Sequence, residues 1–286
     1  MTNPSETPAV VTTAAQLRTH VDRWRRNGER VALVPTMGAL HAGHLALVER
    51  AAELAGRVVV SIFVNPTQFA PLEDFGRYPR NPERDLAILR GQGKTDLVYG
   101  PDVSEIYPSG AVAEAAPKGP ALGLETDFRP HFFAGVATVV SRLFLQSRSD
   151  FAVFGEKDYQ QLLVVKELAR NLGVGLEVVG VPTVREADGL ALSSRNAYLD
   201  VQQRKVAGLL NVVLREVGVR VRQGASIPEA ETHGAARLIA AGFERVDYVA
   251  VRDAETLFPV RDLKRPARVL AAARIGATRL IDNMAI

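Results

Sequence analysis

Short apolar runs alternate with helical patterns through the first two thirds of the chain. Four of these runs are rich in β-branched residues and apolar on both faces, which is typical of strands buried within a parallel sheet. They lie at 31–34, 57–64, 151–154 and 176–181. Because helical patterns separate them, the sequence predicts a Rossmann-like, doubly wound α/β sheet.

The helical patterns place apolar residues three and four positions apart. They cover 44–54, 136–145 and 158–172, and Asn81-Pro82 resembles an N-cap followed by proline at the first position of a helix running to about residue 90. Residues 1–13, rich in Pro, Ser and Thr, are predicted to form a loose end. The segment 101–130 has poor periodicity and is predicted to be an excursion or flap.

The character of the chain changes after Pro182. A polar loop leads into two helical stretches, and short strands follow them, which predicts a smaller α+β unit. The helical stretches lie near 201–222 and 228–241, and the strands at 246–251, 268–273 and 278–281. We therefore expect two domains, 1–182 and 183–286.

Composition narrows the classes of function. Apolar residues make up 47% and charged residues 23%, the balance of an ordinary globular protein. The absence of cysteine excludes disulfides and thiolate chemistry. No apolar run approaches the roughly 20 residues that span a bilayer, and no secretory signal is visible, so a cytoplasmic location is expected. A net charge of +3 without a basic tract argues against a nucleic-acid partner.

The strongest local signal lies at the end of the first predicted strand, where a glycine-containing turn leads into a helix near His44. Ligands of open α/β sheets bind beyond the carboxyl ends of strands, and a helix N-terminus favours phosphate. His41 and His44 are close enough to converge there, and Gly43 lets the backbone approach a ligand. The pattern favours a phosphate site over a metal site or ordinary surface histidines.

Three more polar loops follow predicted strands or join the two domains. Asn65 and Gln68 could hold a carboxylate or hydroxyl through directional hydrogen bonds. Lys157 could reach a phosphate and Asp158 a ribose, while residues 193–195 offer two hydroxyls and a guanidinium. Taken singly, each could instead be a turn, a capped helix start or a polar linker.

Several long motifs occur together between residue 31 and the end of the chain. They are PTMGALHAGH, SIFVNPTQF, YPRNPERDL, FGEKDYQQL and VPTVREADGLALSSRN. In this order they resemble the pantoate–β-alanine ligase (pantothenate synthetase) family. The HxGH motif alone would indicate only the wider nucleotidylyl-transferase superfamily.

The resemblance implies a two-step reaction that uses ATP and Mg²⁺. The carboxylate of pantoate attacks the α-phosphate of ATP, giving pantoyl adenylate and pyrophosphate. The amine of β-alanine then attacks the acyl carbon, giving pantothenate and AMP. Members of the family are homodimers with a Rossmann-like N-terminal domain and a smaller C-terminal domain that acts as a lid. The resemblance therefore implies a homodimer and a C-terminal lid domain here.

The resemblance carries residue roles onto the matching positions. It assigns the catalytic contacts with the ATP phosphates to His41, His44, Lys157, Ser193 and Arg195. It assigns nucleotide binding to Met37, Gly43, Gly155, Asp158, Val184 and Ser194. It assigns pantoate binding to Pro35, Thr36, Asn65, Gln68, Phe69 and Gln161, and Mg²⁺ to Asp85.

Two positions depart from the family's pattern. Phe132 stands where the family has a histidine, and a histidine lies one place earlier at His131; either His131 reaches the site or one ligand contact is absent. Arg84 lies beside Asp85, where relatives carry an acid. The alternatives are another HxGH adenylyltransferase or a non-catalytic nucleotide-binding homologue. The neutral pair Gln68 and Gln161 favours an unphosphorylated hydroxy acid as substrate.

Overall fold

The structure, a computed structural model, describes residues 7–69, 73–108 and 118–286. Its larger sheet has six strands in the order β1-β4-β3-β2-β5-β6, and every neighbouring pair is parallel. This confirms the predicted doubly wound α/β class. The strands are β1 (Ala9–Val11), β2 (Val31–Thr36), β3 (Arg57–Ile62), β4 (Leu97–Tyr99), β5 (Phe151–Gly155) and β6 (Glu177–Val181).

Helices cover both faces of this sheet. They are α1 (Ala14–Arg26), α2 (Ala42–Leu54), α3 (Pro82–Gln92), α4 (Val103–Ile106), α5 (Glu125–Phe128), α6 (Phe132–Ser147) and α7 (Tyr159–Leu172). Leu33 of β2 packs in the cluster with α1, α6 and α7, whereas its neighbour Val34 packs in the cluster with α2 and α3. Successive strand residues thus enter opposite cores, which explains why these strands are apolar throughout.

Helix starts follow from local chemistry. The Asn81 side chain accepts a hydrogen bond from the backbone N–H of Arg84 at 3.0 Å, and Pro82 occupies the first helical position of α3. Thr13 and Gln16 form a reciprocal capping box at the start of α1. The predicted N-cap at Asn81 is confirmed.

The four predicted strands and the helices between them are confirmed, with ends shifted by a few residues. The prediction missed α1 and the three-residue strands β1 and β4, and the expectation of a loose end is wrong for residues 9–13. Residues 1–6 of the expected loose end lie outside the described residues, and so do residues 109–117 in the middle of the expected flap. The rest of the flap segment contains α4 and α5.

A second hydrophobic core forms after β6. It lies between α9, α10 and a three-stranded antiparallel sheet, with Leu214, Leu238 and Val269 fully buried. The predicted α+β character is confirmed. The elements are α8 (Val201–Ala207), α9 (Leu209–Arg222), α10 (Ile227–Ala241), β7 (Arg245–Asp253), β8 (Ala267–Ile275) and β9 (Thr278–Ala285). Across the described part of the chain, every helix is too short or too polar to cross a bilayer.

Candidate active site

A cavity of about 650 Å³ opens at the carboxyl ends of β2 and β5. The sheet continues through β3 on one side and β6 on the other, so the loops leaving β2 and β5 diverge and leave a crevice. Arg279 and Ile281 of β9 contribute to the opposite wall. Among the predicted site residues, the cavity is lined by Pro35, Thr36, Met37, His41, Gly43, His44, Gln68, Phe69, Gly155, Lys157, Asp158, Gln161, Val184, Ser193, Ser194 and Arg195.

The two histidines of the first motif form a capping box at the start of α2. His41 is the N-cap, and its Nδ1 accepts a hydrogen bond from the N–H of Gly43 at 3.1 Å. The N–H of His41 in turn donates to Nδ1 of His44 at 3.3 Å. A neutral imidazole carries one proton, so a ring that accepts at Nδ1 carries it on Nε2. Both rings are therefore Nε2–H donors.

The surroundings keep both rings neutral at physiological pH. Burial, followed by the positive charge of Lys157, lowers the pKa of His41 to about 4. Burial, followed by His41 and Lys157, lowers the pKa of His44 to about 3. With ring centroids 4.1 Å apart, the pair presents two neighbouring neutral donors beside a helix N-terminus.

Gly43 is required by the position of the His41 ring. A Cβ at residue 43 would lie 2.9 Å from Cε1 and 3.0 Å from Nδ1 of that ring. Any larger residue would push the imidazole away from its hydrogen bond with the backbone. The glycine thus places His41 directly, in addition to leaving room for a ligand.

Asp85 lies outside the cavity, beneath the loop that joins β2 to α2. Its side chain is buried, and its two oxygens accept hydrogen bonds from the N–H groups of Ala39 and Leu40 at 3.0 and 2.8 Å. The loop needs this support because Ala39 has a left-handed φ of 51° and Gly38 one of 78°. Asp85 therefore shapes the loop that carries His41, a contact that the resemblance did not imply.

Gln68 and Gln161 face the cavity with uncommitted side chains. Within the described residues, neither side-chain amide has a hydrogen-bond partner, although Gln68 accepts from Arg129 through its backbone oxygen. Phe69 packs edge-on against Tyr78, with ring centroids 5.8 Å apart. The two amides and this apolar wall can hold a small molecule that has both polar and methyl-bearing parts.

Asn65 does not line the cavity, so the structure does not support a direct contact with substrate. Its side chain is 1% exposed, and Nδ2 donates to the backbone oxygen of Gly135 at 3.2 Å. Its Oδ1 accepts from the hydroxyls of Tyr107 at 2.7 Å and Thr67 at 3.1 Å. The amide thus holds the loop after β3 against α6, and it positions Gln68 only through the backbone.

The turn after β5 brings Lys157 and Asp158 to the cavity from the other strand. Lys157 Nζ lies 3.6 Å from Asp158 Oδ2, a distance at which the two charges interact without a tight hydrogen bond. Gly155 ends β5 and also lines the cavity. A cation and a carboxylate on adjacent residues could thus face the phosphates and the ribose of one nucleotide.

The polar run at the junction lies opposite, on the 3₁₀ helix Ser194–Tyr198. The Ser193 hydroxyl caps this helix by accepting from the N–H of Arg195 at 3.2 Å. The Ser194 hydroxyl lies 3.2 Å from that of Tyr78. The Arg195 guanidinium lines the cavity and forms an ion pair with Asp74.

A buried ionic cluster, which the sequence did not predict, joins the two parts of the chain across the cavity. Glu125, 5% exposed, accepts from both Nη atoms of Arg279 at 2.7 and 2.8 Å and from the Tyr248 hydroxyl at 2.8 Å. Burial alone would raise the pKa of Glu125, but Arg279, together with Tyr248 and Arg129, outweighs burial and lowers it. Arg129 binds Glu73 with two hydrogen bonds of 2.7 Å. These pairs are far apart in sequence and give no local signal.

Phe132, which the resemblance places at the family's histidine, lies in the cavity wall. The Arg129 guanidinium lies 3.9 Å from the centre of its ring, and the Phe133 ring packs beside it at 4.9 Å. His131, at the N-cap of α6, is exposed and is not among the cavity residues. Of the two alternatives, the structure favours the absence of one imidazole contact, with Phe132 packed under an arginine in its place.

An open parallel sheet with phosphate donors at the strand ends and HxGH at a helix start defines a nucleotide-using α/β enzyme. Residues 9–285 match the family described as Pantoate-beta-alanine ligase. The pantothenate synthetase of Bradyrhizobium sp. (strain BTAi1) is 55% identical over 99% of this chain and 100% of its own. That of Mesorhizobium japonicum is 54% identical over 97% of each chain.

Solved structures give the same result. Pantothenate synthetase from Thermus thermophilus superposes with a TM-score of 0.89 at 50% identity, covering 96% of this chain and 98% of that one. A pantoate-beta-alanine ligase from Francisella tularensis, complexed with beta-gamma ATP and beta-alanine, gives a TM-score of 0.82 at 30% identity over 97% of each chain. The chain belongs to the pantoate-β-alanine ligase family and is an enzyme of that class.

Proposed function

We propose that the chain condenses pantoate with β-alanine at the expense of ATP, by way of pantoyl adenylate, and releases AMP and pyrophosphate. One observation carries the proposal. The neutral donors His41 and His44, the cation Lys157 and the uncommitted amides of Gln68 and Gln161 face one cavity. The first three suit a polyphosphate, and the last two suit a hydroxy acid.

The polyphosphate binds along the start of α2, where the Nε2–H groups of His41 and His44 donate to its oxygens. Lys157 and Arg195 add positive charge from two other walls of the cavity. As the carboxylate oxygen of pantoate bonds to the α-phosphorus, the bond to the bridging oxygen breaks and charge grows on the leaving pyrophosphate. Donors already fixed at that place stabilise this charge without reorganisation.

Pantoate binds between the amides of Gln68 and Gln161, with its gem-dimethyl group against Pro35, Met37 and Phe69. Neutral amides orient the attacking carboxylate and leave its negative charge, and so its nucleophilicity, intact. Rate enhancement at this step comes from holding the carboxylate in line with the α-phosphate. The β-alanine amine then displaces AMP at the acyl carbon and loses its proton.

Mg²⁺ fits this site mainly as an ion bound to the phosphates of the nucleotide. Within the described ranges, no three His, Asp or Glu side chains converge on a point that could hold a metal ion. Mg²⁺ usually keeps several waters and binds through substrate phosphates plus one or two carboxylates. When bound, the ion neutralises charge on the phosphates. Asp158 lies in the cavity and is the carboxylate that would help to hold the ion. The resemblance assigns this role to Asp85, but both oxygens of Asp85 accept hydrogen bonds from the loop beneath the cavity, so we propose that it supports the loop.

Other assignments stay predictions. They are the division into domains at 182/183, the lid motion, the homodimer and the cytoplasmic location. ATP and β-alanine are carried over from the Francisella tularensis relative, whose structure contains beta-gamma ATP and beta-alanine. An adenylyltransferase for a phosphorylated acceptor is disfavoured, because the neutral amides of Gln68 and Gln161 face the cavity and suit an unphosphorylated hydroxy acid.

The test is release of pyrophosphate and AMP by the purified protein with ATP, Mg²⁺ and pantoate, with and without β-alanine. We expect sustained turnover only with both acids, and one AMP for each pantothenate formed. Pyrophosphate release that continues equally with an acceptor other than pantoate would point to a different adenylyltransferase. Nucleotide binding without turnover would point to a non-catalytic homologue.

A further inference from the structure

Arg195 is held by a carboxylate of a distant segment. Its Nε lies 3.0 Å from Oδ2 of Asp74, and its Nη2 lies 2.9 Å from Oδ1. The two residues are 121 positions apart in the sequence, yet they form a two-point ion pair at the wall of the cavity. Asp74 begins the short 3₁₀ turn Asp74–Gly76, and Arg195 lies on the 3₁₀ helix at the junction.

This contact leaves part of the guanidinium free. Arginine has five N–H donors, and Asp74 uses the one on Nε and one on Nη2. The remaining fork, formed by Nη1 and Nη2, has no other partner among the described residues, and a fork of this kind matches two oxygens of one phosphate. Asp74 thus fixes the plane of the guanidinium from the side and leaves its end open.

Neighbouring contacts hold the two segments together at the same place. The Tyr78 hydroxyl lies 3.2 Å from that of Ser194, and the Tyr198 hydroxyl donates to the backbone oxygen of Arg77 at 3.2 Å. Arg195 also lies over the Tyr78 ring, 5.8 Å from its centre. Asp74 and Arg195 are the oppositely charged residues that meet here, and the side chain of Asp74 is 13% exposed.

The charges of the pair are mutually stabilised. Burial alone would raise the pKa of Asp74, but the hydrogen bonds and charge of Arg195, with smaller contributions from a backbone hydrogen bond and Arg129, outweigh burial and lower it. Burial would lower the pKa of Arg195, and Asp74 outweighs that effect in the same way. The aspartate is therefore ionised whenever the enzyme is folded near neutral pH.

We propose that Asp74 is a positioning residue that aims the free fork of Arg195 at the ATP polyphosphate. The proposal rests on the proposed function, because it takes the phosphates to lie beside Arg195. Without Asp74 the long arginine side chain is free to adopt other rotamers, and each rotamer that points elsewhere weakens the contact with phosphate. The contact with pantoate, made by Gln68 and Gln161, stays intact.

A double-mutant cycle tests this dependence. We expect Asp74→Ala to lower kcat/KM for ATP by about 10- to 100-fold and to change KM for pantoate by less than about twofold. Arg195→Ala should lower kcat/KM for ATP by about 100-fold or more. Because Asp74 acts through Arg195, the double variant should be no worse than Arg195→Ala alone. Asp74→Asn, which keeps one acceptor, should lie between Asp74→Ala and the wild type.

Glu216→Ala provides a matched control. Glu216 binds Arg237 through the same side-on pair of nitrogens, at 3.2 and 3.4 Å, on the exposed surface of α9 and α10. Its loss should leave both KM values unchanged. Melting temperatures of all variants, measured with and without a non-hydrolysable ATP analogue, separate loss of fold from loss of nucleotide contact.

Three outcomes overturn the proposal. Independent, multiplicative losses in the double variant would show that Asp74 does not act through Arg195. A lower KM for ATP in Asp74→Ala would show that the aspartate competes with phosphate for the arginine. Wild-type kinetics in Arg195→Ala would show that Arg195 does not contact the phosphates. In each case sustained AMP release by the wild type leaves the proposed function standing, whereas its absence overturns both.

Discussion

The side-chain amide of Asn283 donates to the backbone oxygens of both Glu156 and Lys157, at 2.9 Å each. Asn283 lies on β9, the last strand of the C-terminal sheet, and is 3% exposed. Its Oδ1 accepts from the Arg268 guanidinium, which turns the nitrogen toward the turn that carries Lys157. The C-terminal sheet therefore fixes the backbone of the turn that follows β5 and carries Lys157.

Replacing Asn283 by Asp should impair the use of ATP. The carboxylate would keep its contact with Arg268 but would face two carbonyl oxygens without a proton to donate. We expect KM for ATP to rise about tenfold, equivalent to about 1.4 kcal/mol of lost binding, with a smaller change for pantoate. Steady-state kinetics with each substrate varied in turn measures the split. Asn211→Ala, a second buried asparagine on α9, should lower stability without this split, and equal shifts in both variants would contradict the assignment.

Both histidines of the HxGH motif should make the enzyme less stable in mild acid. Their pKa values in the folded protein, about 4 for His41 and about 3 for His44, lie below the unfolded value of 6.5. The unfolded chain therefore takes up protons first as pH falls, so the free energy of unfolding is fully present above pH 6.5 and declines as the pH falls toward about 4 and 3.

At pH 5 these pKa differences correspond to a loss of roughly 2 kcal/mol in the free energy of unfolding for each ring. We expect about half of that loss per ring, because solvent in the open cavity screens the effect. Denaturant unfolding at pH 7.5 and pH 5 checks this, with the double variant His41→Asn, His44→Asn as reference. Asparagine keeps an acceptor for the backbone N–H but does not titrate. The wild type should lose about 2 kcal/mol more than the variant between the two pH values, and parallel curves would show that the histidines are not held neutral.

Many residues of the cavity could be predicted from the sequence, because the hydrogen-bond donors follow the ends of recognisable strands. His41, Lys157 and Gln68 each lie directly after a buried strand or within a few residues of one, and the parallel topology brings such loops to one edge of the sheet. The sequence could not show that Asn65 lies outside the cavity, because its hydrogen-bond partner Tyr107 is 42 positions away.

Ion pairs across the cavity could not be predicted in this way. Glu125 and Arg279 are 154 positions apart, and Glu73 and Arg129 are 56 apart. Nothing in the local pattern distinguishes these residues from solvated surface charges, since pairing of this kind depends on how two hydrophobic cores pack. The short strand β4 was missed because three residues are too few to show a period.

A methyl group at Gly43 should damage catalysis more than stability. The new Cβ of Gly43→Ala would press on the His41 ring at 2.9 Å, while alanine favours the helix over glycine. We expect kcat/KM for ATP to fall by about 10- to 100-fold and the free energy of unfolding to change by less than about 1 kcal/mol. Gly91→Ala on α3, where nothing lies within 4 Å of the new methyl, should retain full activity. Wild-type kinetics in Gly43→Ala would mean that the ring does not need its present place.

Gln161 should determine the affinity for pantoate. We expect Gln161→Ala to raise KM for pantoate at least about tenfold and KM for ATP by about twofold or less, because the proposed partner of the amide is the acid and not the phosphates. The neighbouring Gln160 is a suitable comparison, since its amide is buried and bonded to the backbone of Pro120, Gly123 and Glu125. Gln160→Ala should therefore lower stability first. Equal increases in KM for ATP and for pantoate in Gln161→Ala would contradict the assignment of Gln161 to pantoate binding.

Substitution of Asp85 tests whether its carboxylate supports the loop or binds a metal ion. In Asp85→Asn one oxygen becomes an NH₂ group that must face the N–H of Ala39 or Leu40, so a buried hydrogen bond is replaced by two opposed donors. We expect a loss of about 1 to 3 kcal/mol in the free energy of unfolding and a lower turnover. Because the damage lies in the loop that carries His41, additional Mg²⁺ should not restore the rate.

A titration of turnover against Mg²⁺, at a fixed concentration of ATP, separates the two roles. The half-saturating Mg²⁺ concentration should be the same in Asp85→Asn and the wild type, with only the plateau reduced. Asp96→Asn gives the control for stability alone, because Asp96 accepts from the N–H of Val58 at 2.8 Å and is not a cavity residue. If high Mg²⁺ instead returned Asp85→Asn to the wild-type plateau, the carboxylate would be acting on the ion, as the resemblance implies, and its hold on the loop would be secondary.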